Sequence, residues 1–138
     1  MKLPVLFALA LVTGHAAAQD WFTIYGYPEL PGTDVIQISP VISAWQQQIT
    51  LEVRVTRKVE RQGYRGIAYR SYAGMAAIDC SSRKGWFLTL NFYRQPDWAG
   101  EPAAVVSDFR PEEAPMAFAD IPGAPSVRLI AAACAAAR

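Results

Sequence analysis

Few side chains in this 138-residue chain can do covalent chemistry. There is one histidine, His15 in "TGHAAAQD", and there are two cysteines, Cys80 and Cys134. His15 lies in a segment that reads as removable. Lys2 precedes the apolar run "LPVLFALALV", and Ala16 and Ala18 stand at the small-residue positions a signal peptidase reads, so the mature chain is expected to start near Gln19. Residues 1–18 are read as a signal peptide and 19–138 as a single domain. Without His15, the Ser-His-Asp and Cys-His arrangements lose their base, and zinc loses its commonest ligand.

Export places the chain where disulfides persist. Cys80 and Cys134 are therefore expected to pair rather than to stay two separate buried thiols, which leaves no thiolate nucleophile. No GxGxxG, phosphate-loop or EF-hand spacing is present. A paired-carboxylate hydrolase is the one enzyme class left open, with Asp79 or Glu52 facing a second acid across strands, yet no spacing supports the pairing. The expectation is a non-enzyme with no catalytic residue, no metal site and no cofactor.

The elements that must position any site are mostly strands. "DWFTIYGY" (20–27) and "VIQIS" (35–39) flank a proline–glycine turn. In "QITLEVRVTRKVE" (48–60), Ile49, Leu51, Val53 and Val55 alternate with Thr50, Glu52, Arg54 and Thr56, giving one core face and one wet face. After a turn at 61–64, "YRGIAYRSYAG" (64–74) and "MAAIDC" (75–80) continue the sheet. Trp86, Leu88, Leu90 and Phe92 mark one further strand, and "AAVVSDF" (103–109) the last. "RPEEAPMAFADIPGAP" is too rich in proline for regular structure.

The tail changes period. Pro125 and Ser126 suit a helix's first turn, and Val127, Ile130, Ala131 and Cys134 fall on one stripe. Alternation places Cys80 on the face of Ala76 and Ile78. A Cys80–Cys134 bridge would then fasten an alanine-rich helix, which has little apolar surface to bury, onto the sheet. The fold class expected is α+β, an antiparallel sheet of about six strands with a C-terminal helix tied to it by the disulfide.

Charge and aromatic placement suggest where a partner would bind. Without Lys2, the thirteen basic residues fall to twelve and match the twelve acidic ones, which argues against a nucleic-acid binder. No mature stretch approaches the length of a membrane span. Residues 52–70 are rich in Arg and Lys, whereas 97–120 carry Asp97, Glu101, Asp108, Glu112, Glu113 and Asp120. These poles would attract an anionic partner, pair two copies head to tail, or be two solvated faces. Arg57, Lys58, Arg61, Arg65, Tyr69, Arg70 and Tyr72 form the candidate binding segment, because Arg and Tyr give large contacts with polar tips. The competing reading has the tyrosines capping a thin core. Trp98, on the turn "PDWAGEP", joins the candidates unless it folds back over the sheet.

The stretch "YRSYAGMAAIDCSSRKGWFLTLNFYRQPDWAG", with the distant cysteine in "RLIAAAC", resembles the surface-adhesin protein E family of exported Gram-negative bacterial proteins. The matching features are the tyrosine and serine before "IDC", the basic pair after that cysteine, the aromatic strand ending in "FY", and the closing cysteine. The likeness is strongest from Tyr64 to Gly100. It implies a small disulfide-tied sheet and helix, and a protein that adheres to host cells, binds extracellular-matrix or serum proteins, and forms homodimers. Gln19 departs from the pattern of a lipid-anchored adhesin, which needs a cysteine there. The expected location is periplasmic, cell-surface or secreted, with a periplasmic accessory role as the alternative function.

Overall fold

The computed structural model describes residues 20–138, so the expected signal peptide lies outside the described residues. Eight strands form one antiparallel sheet: β1 (Phe22–Tyr25), β2 (Val35–Ile38), β3 (Ser43–Trp45), β4 (Gln48–Gln62), β5 (Ala68–Asp79), β6 (Lys84–Phe87), β7 (Leu90–Tyr93) and β8 (Ala104–Val106). Their order is β1-β2-β4-β5-β7-β8, with β3 paired to β4 and β6 to β5. One helix, α1 (Pro125–Ala136), closes the chain. Among the described residues, no helix is long and apolar enough to cross a membrane.

The alternation in β4 sets the core. Ile49, Leu51, Val53 and Val55 are buried and face Ile78, Ala76, Gly74 and Tyr72 of β5 in register. Ile36 and Ile38 of β2 extend this face. Over it lie Leu129, Ile130, Ala133 and Cys134 of α1, together with Ala114, Met116, Phe118 and Ile121 from the proline-rich segment. That segment is largely irregular, as its composition predicts, yet it supplies a large share of the lid. Full burial of Leu129 alone is worth about 2 kcal/mol. The Cys80–Cys134 disulfide joins the end of β5 to α1, with the two Cα atoms 5.8 Å apart.

Two further strands beyond the six expected have local causes. β3 is only three residues long, too short to show a period. β6 and β7 divide a run that reads as one strand, because the Leu88 and Thr89 amides both donate to the Met75 carbonyl, at 2.8 and 3.4 Å. Two residues opposing one make a β-bulge, which reverses side-chain parity. Phe87, Leu90 and Phe92 are therefore buried, whereas Leu88 is exposed, so the expected stripe of Trp86, Leu88, Leu90 and Phe92 is corrected.

The helical stripe is corrected too. Val127 and Ala131 are exposed, and the buried residues are Pro125, Leu129, Ile130, Ala133 and Cys134. In a helix with so many alanines, several stripes have similar period. Leu129, a large apolar side chain, gains most from burial and turns Val127 outward.

Candidate functional site

The basic segment folds largely onto its own acids. Arg57 continues the core-facing parity of Val53 and Val55, and it lies where four residues of β4 pass a single residue of β5 between the Thr56–Ser71 and Arg61–Tyr69 pairs. Its Nε is 2.9 Å from Asp34 Oδ1 and its Nη2 2.8 Å from Asp120 Oδ2. Arg61 shares Asp120, and Arg65 reaches Asp108 at 3.5 Å while covering the Tyr64 ring. The Lys58 amide donates to Asp34 at 3.0 Å, and Arg70 Nε donates to the Arg57 carbonyl at 3.0 Å. Burial works to raise the Asp34 pKa, but the hydrogen bonds from Arg57 and the Lys58 amide and the nearby cations prevail and hold it below the usual carboxylate value.

Glu113 follows the same course. Tyr64 donates its hydroxyl to Glu113 at 2.6 Å, and Arg110 Nε donates to the same side chain at 2.6 Å. These two donors hold Glu113 at a pKa of about 2. The basic and acidic stretches of the sequence thus meet within one chain.

Three of the eight candidate binding residues lie inside the fold. Arg57 is buried in its ion pairs, and Tyr69 and Tyr72 are core residues, edge to face at 5.4 Å and packed with Phe92. Burial pushes the Tyr72 hydroxyl pKa up. Lys58 and Arg65 are exposed, whereas Arg61, Arg70 and Trp98 are half-buried.

Trp98 folds back over the sheet. Its indole donates to the Tyr72 carbonyl at 2.8 Å, and its backbone amide to Ser71 Oγ at 3.0 Å. The Arg54 guanidinium is sandwiched between the Trp98 and Trp21 rings, 4.2 and 4.0 Å from their centroids, while Arg54 Nε donates to Gln37. Burial lowers the Arg54 pKa against the opposing pull of Asp97. Trp98 and Arg54 therefore hold the outer face of the sheet.

The two acids considered for hydrolysis do not face acids across β4 and β5. Glu52 is opposite Met75, and Asp79 is opposite Gln48. Asp79 Oδ1 instead accepts from the Ser81 hydroxyl and amide, at 2.6 and 2.9 Å, which lowers its pKa. Among the described residues, no group of three or more His, Cys, Asp or Glu side chains converges as a metal site.

Three further cations gather elsewhere, at the sheet end formed by the β3–β4 and β5–β6 turns, with Asp79 opposite Lys84 in register. Arg83, Lys84 and Arg138 have no ion pair among the described residues. Trp45 stands beside them, 73% exposed, at a two-residue turn whose Gln46 and Gln47 are both left-handed, with φ of 48° and 69°. Such a turn matches strand twist, but it favours glycine or asparagine, so glutamine is strained there. The Gln47 carbonyl holds the Cys80 amide at 2.8 Å, which ties the turn to the disulfide. A depression of about 440 Å³ lies between Trp45, the disulfide, Arg83 and Arg138.

On the other side of Arg83 a groove of about 840 Å³ runs between β6, the 111–117 segment and α1. Trp86, Pro115, Met116, Val127, Ile130 and Ala131 make its walls, and Arg83 and Lys84 stand at its rim. Sequence reasoning missed this site, although "SSRKGW" held a signal: two adjacent cations in a turn without an acid close enough in sequence to neutralise both.

No family model, no curated protein and no solved structure matches this chain. The site is accordingly read from its own chemistry.

Proposed function

We propose that the protein is an exported, non-enzymatic binding domain of the surface-adhesin protein E type, which engages an acidic protein surface such as that of a host matrix or serum protein. The observation that carries this reading is the grouping of Trp45 with Arg83 and Arg138, cations without an ion pair among the described residues, around one depression. An exposed tryptophan flanked by arginines is the composition of an interface hot spot. The binding surface thus moves from the Arg57–Tyr72 segment to the turn end of the sheet.

The test is binding of the oxidised mature domain to a panel of immobilised matrix and serum proteins, alongside Trp45→Ala and Arg83→Glu/Arg138→Glu variants. Saturable binding that both variants weaken at least tenfold is the expected result. Binding that survives both changes places the interface elsewhere.

Gln19, standing where a lipidated adhesin has cysteine, favours a second reading as a periplasmic accessory protein of an envelope complex. The two readings separate when intact cells are treated with a protease that does not cross the outer membrane. Loss of the mature chain supports the adhesin, whereas protection until the membrane is opened supports the accessory protein.

A further inference from the structure

We infer that the aromatic pocket that β5 and β7 form with the 109–115 segment binds a small neutral molecule with one aromatic ring and one hydroxyl, the chemistry of a phenol. This goes beyond the binding of a macromolecule at the Trp45 end and shares no lining residue with that site. The pocket holds about 220 Å³. An apolar cavity of about 150 Å³ is enough to hold benzene, whereas drug-sized ligands take about 300 Å³ or more, so the volume selects a single ring.

Two buried hydroxyls without a partner call for a ligand. Tyr69 and Tyr72 both line the pocket, and each is only 8% exposed. Neither hydroxyl has a hydrogen-bond partner among the described residues. Every side-chain nitrogen or oxygen sealed from solvent there does have one, so these two oxygens reach open space, and the space both residues line is the pocket. Burying a hydroxyl unpaired is unfavourable, and phenylalanine would fill the same position without that cost. Tyr64, the third tyrosine of the lining, already donates its hydroxyl to Glu113 at 2.6 Å. A ligand hydroxyl both donates and accepts, so one group can satisfy Tyr69 and Tyr72 together.

The other walls favour a ring without charge. Tyr72 and Phe87 pack edge to face at 5.7 Å, as do Tyr64 and Phe109 at 4.8 Å, an arrangement that a further ring can join. At Gly63 a Cβ would come within 3.0 Å of a Tyr69 ring carbon and 3.3 Å of a Phe92 one, so glycine leaves both rings open to the pocket. Water fits less well, because each molecule takes about 30 Å³ and needs polar partners that the rings do not offer. Glu113 is the one charged side chain of the lining, and Tyr64 and Arg110 hold it ionised. An anionic ligand would meet that carboxylate and find no cation in the lining.

Phenol, toluene and benzoate, titrated in turn into the oxidised mature domain while the amide NMR signals of Gly63 and Ala114 are followed, test the inference. Saturable shifts at these amides are expected for phenol, with a Kd at or below about 1 mM. Toluene, which lacks the hydroxyl, should bind about fivefold more weakly, and benzoate should not bind. Tyr69→Phe/Tyr72→Phe keeps both rings and should melt no lower than the parent, because the hydroxyls bond to nothing in the fold, yet it should bind phenol about fivefold more weakly. Trp45→Ala should leave phenol binding unchanged, which separates this site from the macromolecular one. Absence of saturable shifts with phenol, toluene or benzoate binding as tightly as phenol, or phenol binding unaltered in the double variant overturns the proposal. So does a double variant that melts well below the parent, since the hydroxyls would then serve the fold.

Discussion

The Arg57 guanidinium lies 2.9 Å from the Asp34 carboxylate at the margin of the core, 23 residues away along the chain. Removing one partner of a buried ion pair leaves the other charge uncompensated, which costs more than the pair itself contributes. Arg57→Ala is expected to destabilise the domain by about 3 kcal/mol, since Asp34 would lose its guanidinium partner, whereas Asp120 keeps Arg61. Urea unfolding of the variant checks this. An effect below about 1 kcal/mol, the usual value of a surface pair, would show that water already shields the site.

Gly74 faces the Leu88–Thr89 bulge. A Cβ at this position would fall on the Thr89 carbonyl and come within 3.0 Å of Leu90 Cα, both of them backbone atoms that cannot swing away. Gly74→Ala should therefore destabilise by several kcal/mol, with the bulge forced to open. A glycine inside a strand often marks such a close approach. A variant that melts like the parent would show that the backbone shifts freely here.

The Cys80–Cys134 bridge spans a sequence separation of 54 residues. Loop-closure entropy predicts that Cys80→Ser/Cys134→Ser loses about 4 kcal/mol, less any strain released. Limited proteolysis should find the last fifteen or so residues cleaved first, because α1 has few large side chains to dock. Equal stability of variant and oxidised parent would show that Leu129 and Ile130 hold the helix unaided.

Acid should unfold the domain by protonating Asp34 and Glu113, whose pKa values in the fold are both lowered. For groups shifted in this direction, the stabilising contribution is present above the unfolded values of 3.8 and 4.5. It is lost as pH falls through the folded values, about 2 for Glu113. Thermal melts are expected to be flat from neutrality to about pH 5 and to fall steeply below 4. Asp34→Asn should melt lower at neutral pH and show a shallower acid slope, and an unchanged slope would assign the acid sensitivity to other carboxylates.

Sequence and structure agree where neighbours along the chain carry the information. The alternation of Ile49, Leu51, Val53 and Val55 is enough to set the core face of β4, because successive side chains of a strand point to opposite sides. The same alternation places Cys80 with Ala76 and Ile78, and the disulfide to α1 follows. Where the backbone departs from its period, the reading along the chain fails. One extra residue at Leu88–Thr89 reverses every later side chain, and nothing in "GWFLTLNFY" announces it.

Charge depends still more on tertiary structure. Arg57, Arg61 and Arg65 read as a free basic segment, yet Asp34, Asp108 and Asp120 reach them from elements remote in sequence. Tyr69 and Tyr72 read equally as interface residues or as caps of a thin core, and the fold buries them in the core. The sequence by itself determined the strand-rich α+β class, the core face of the long strands and the cysteine pair, because periodicity and the small number of thiols are local properties. Only the tertiary structure decided which cations meet an acid, Arg57, Arg61 and Arg65 among them, because neutralising a charge depends on distance in space rather than along the chain.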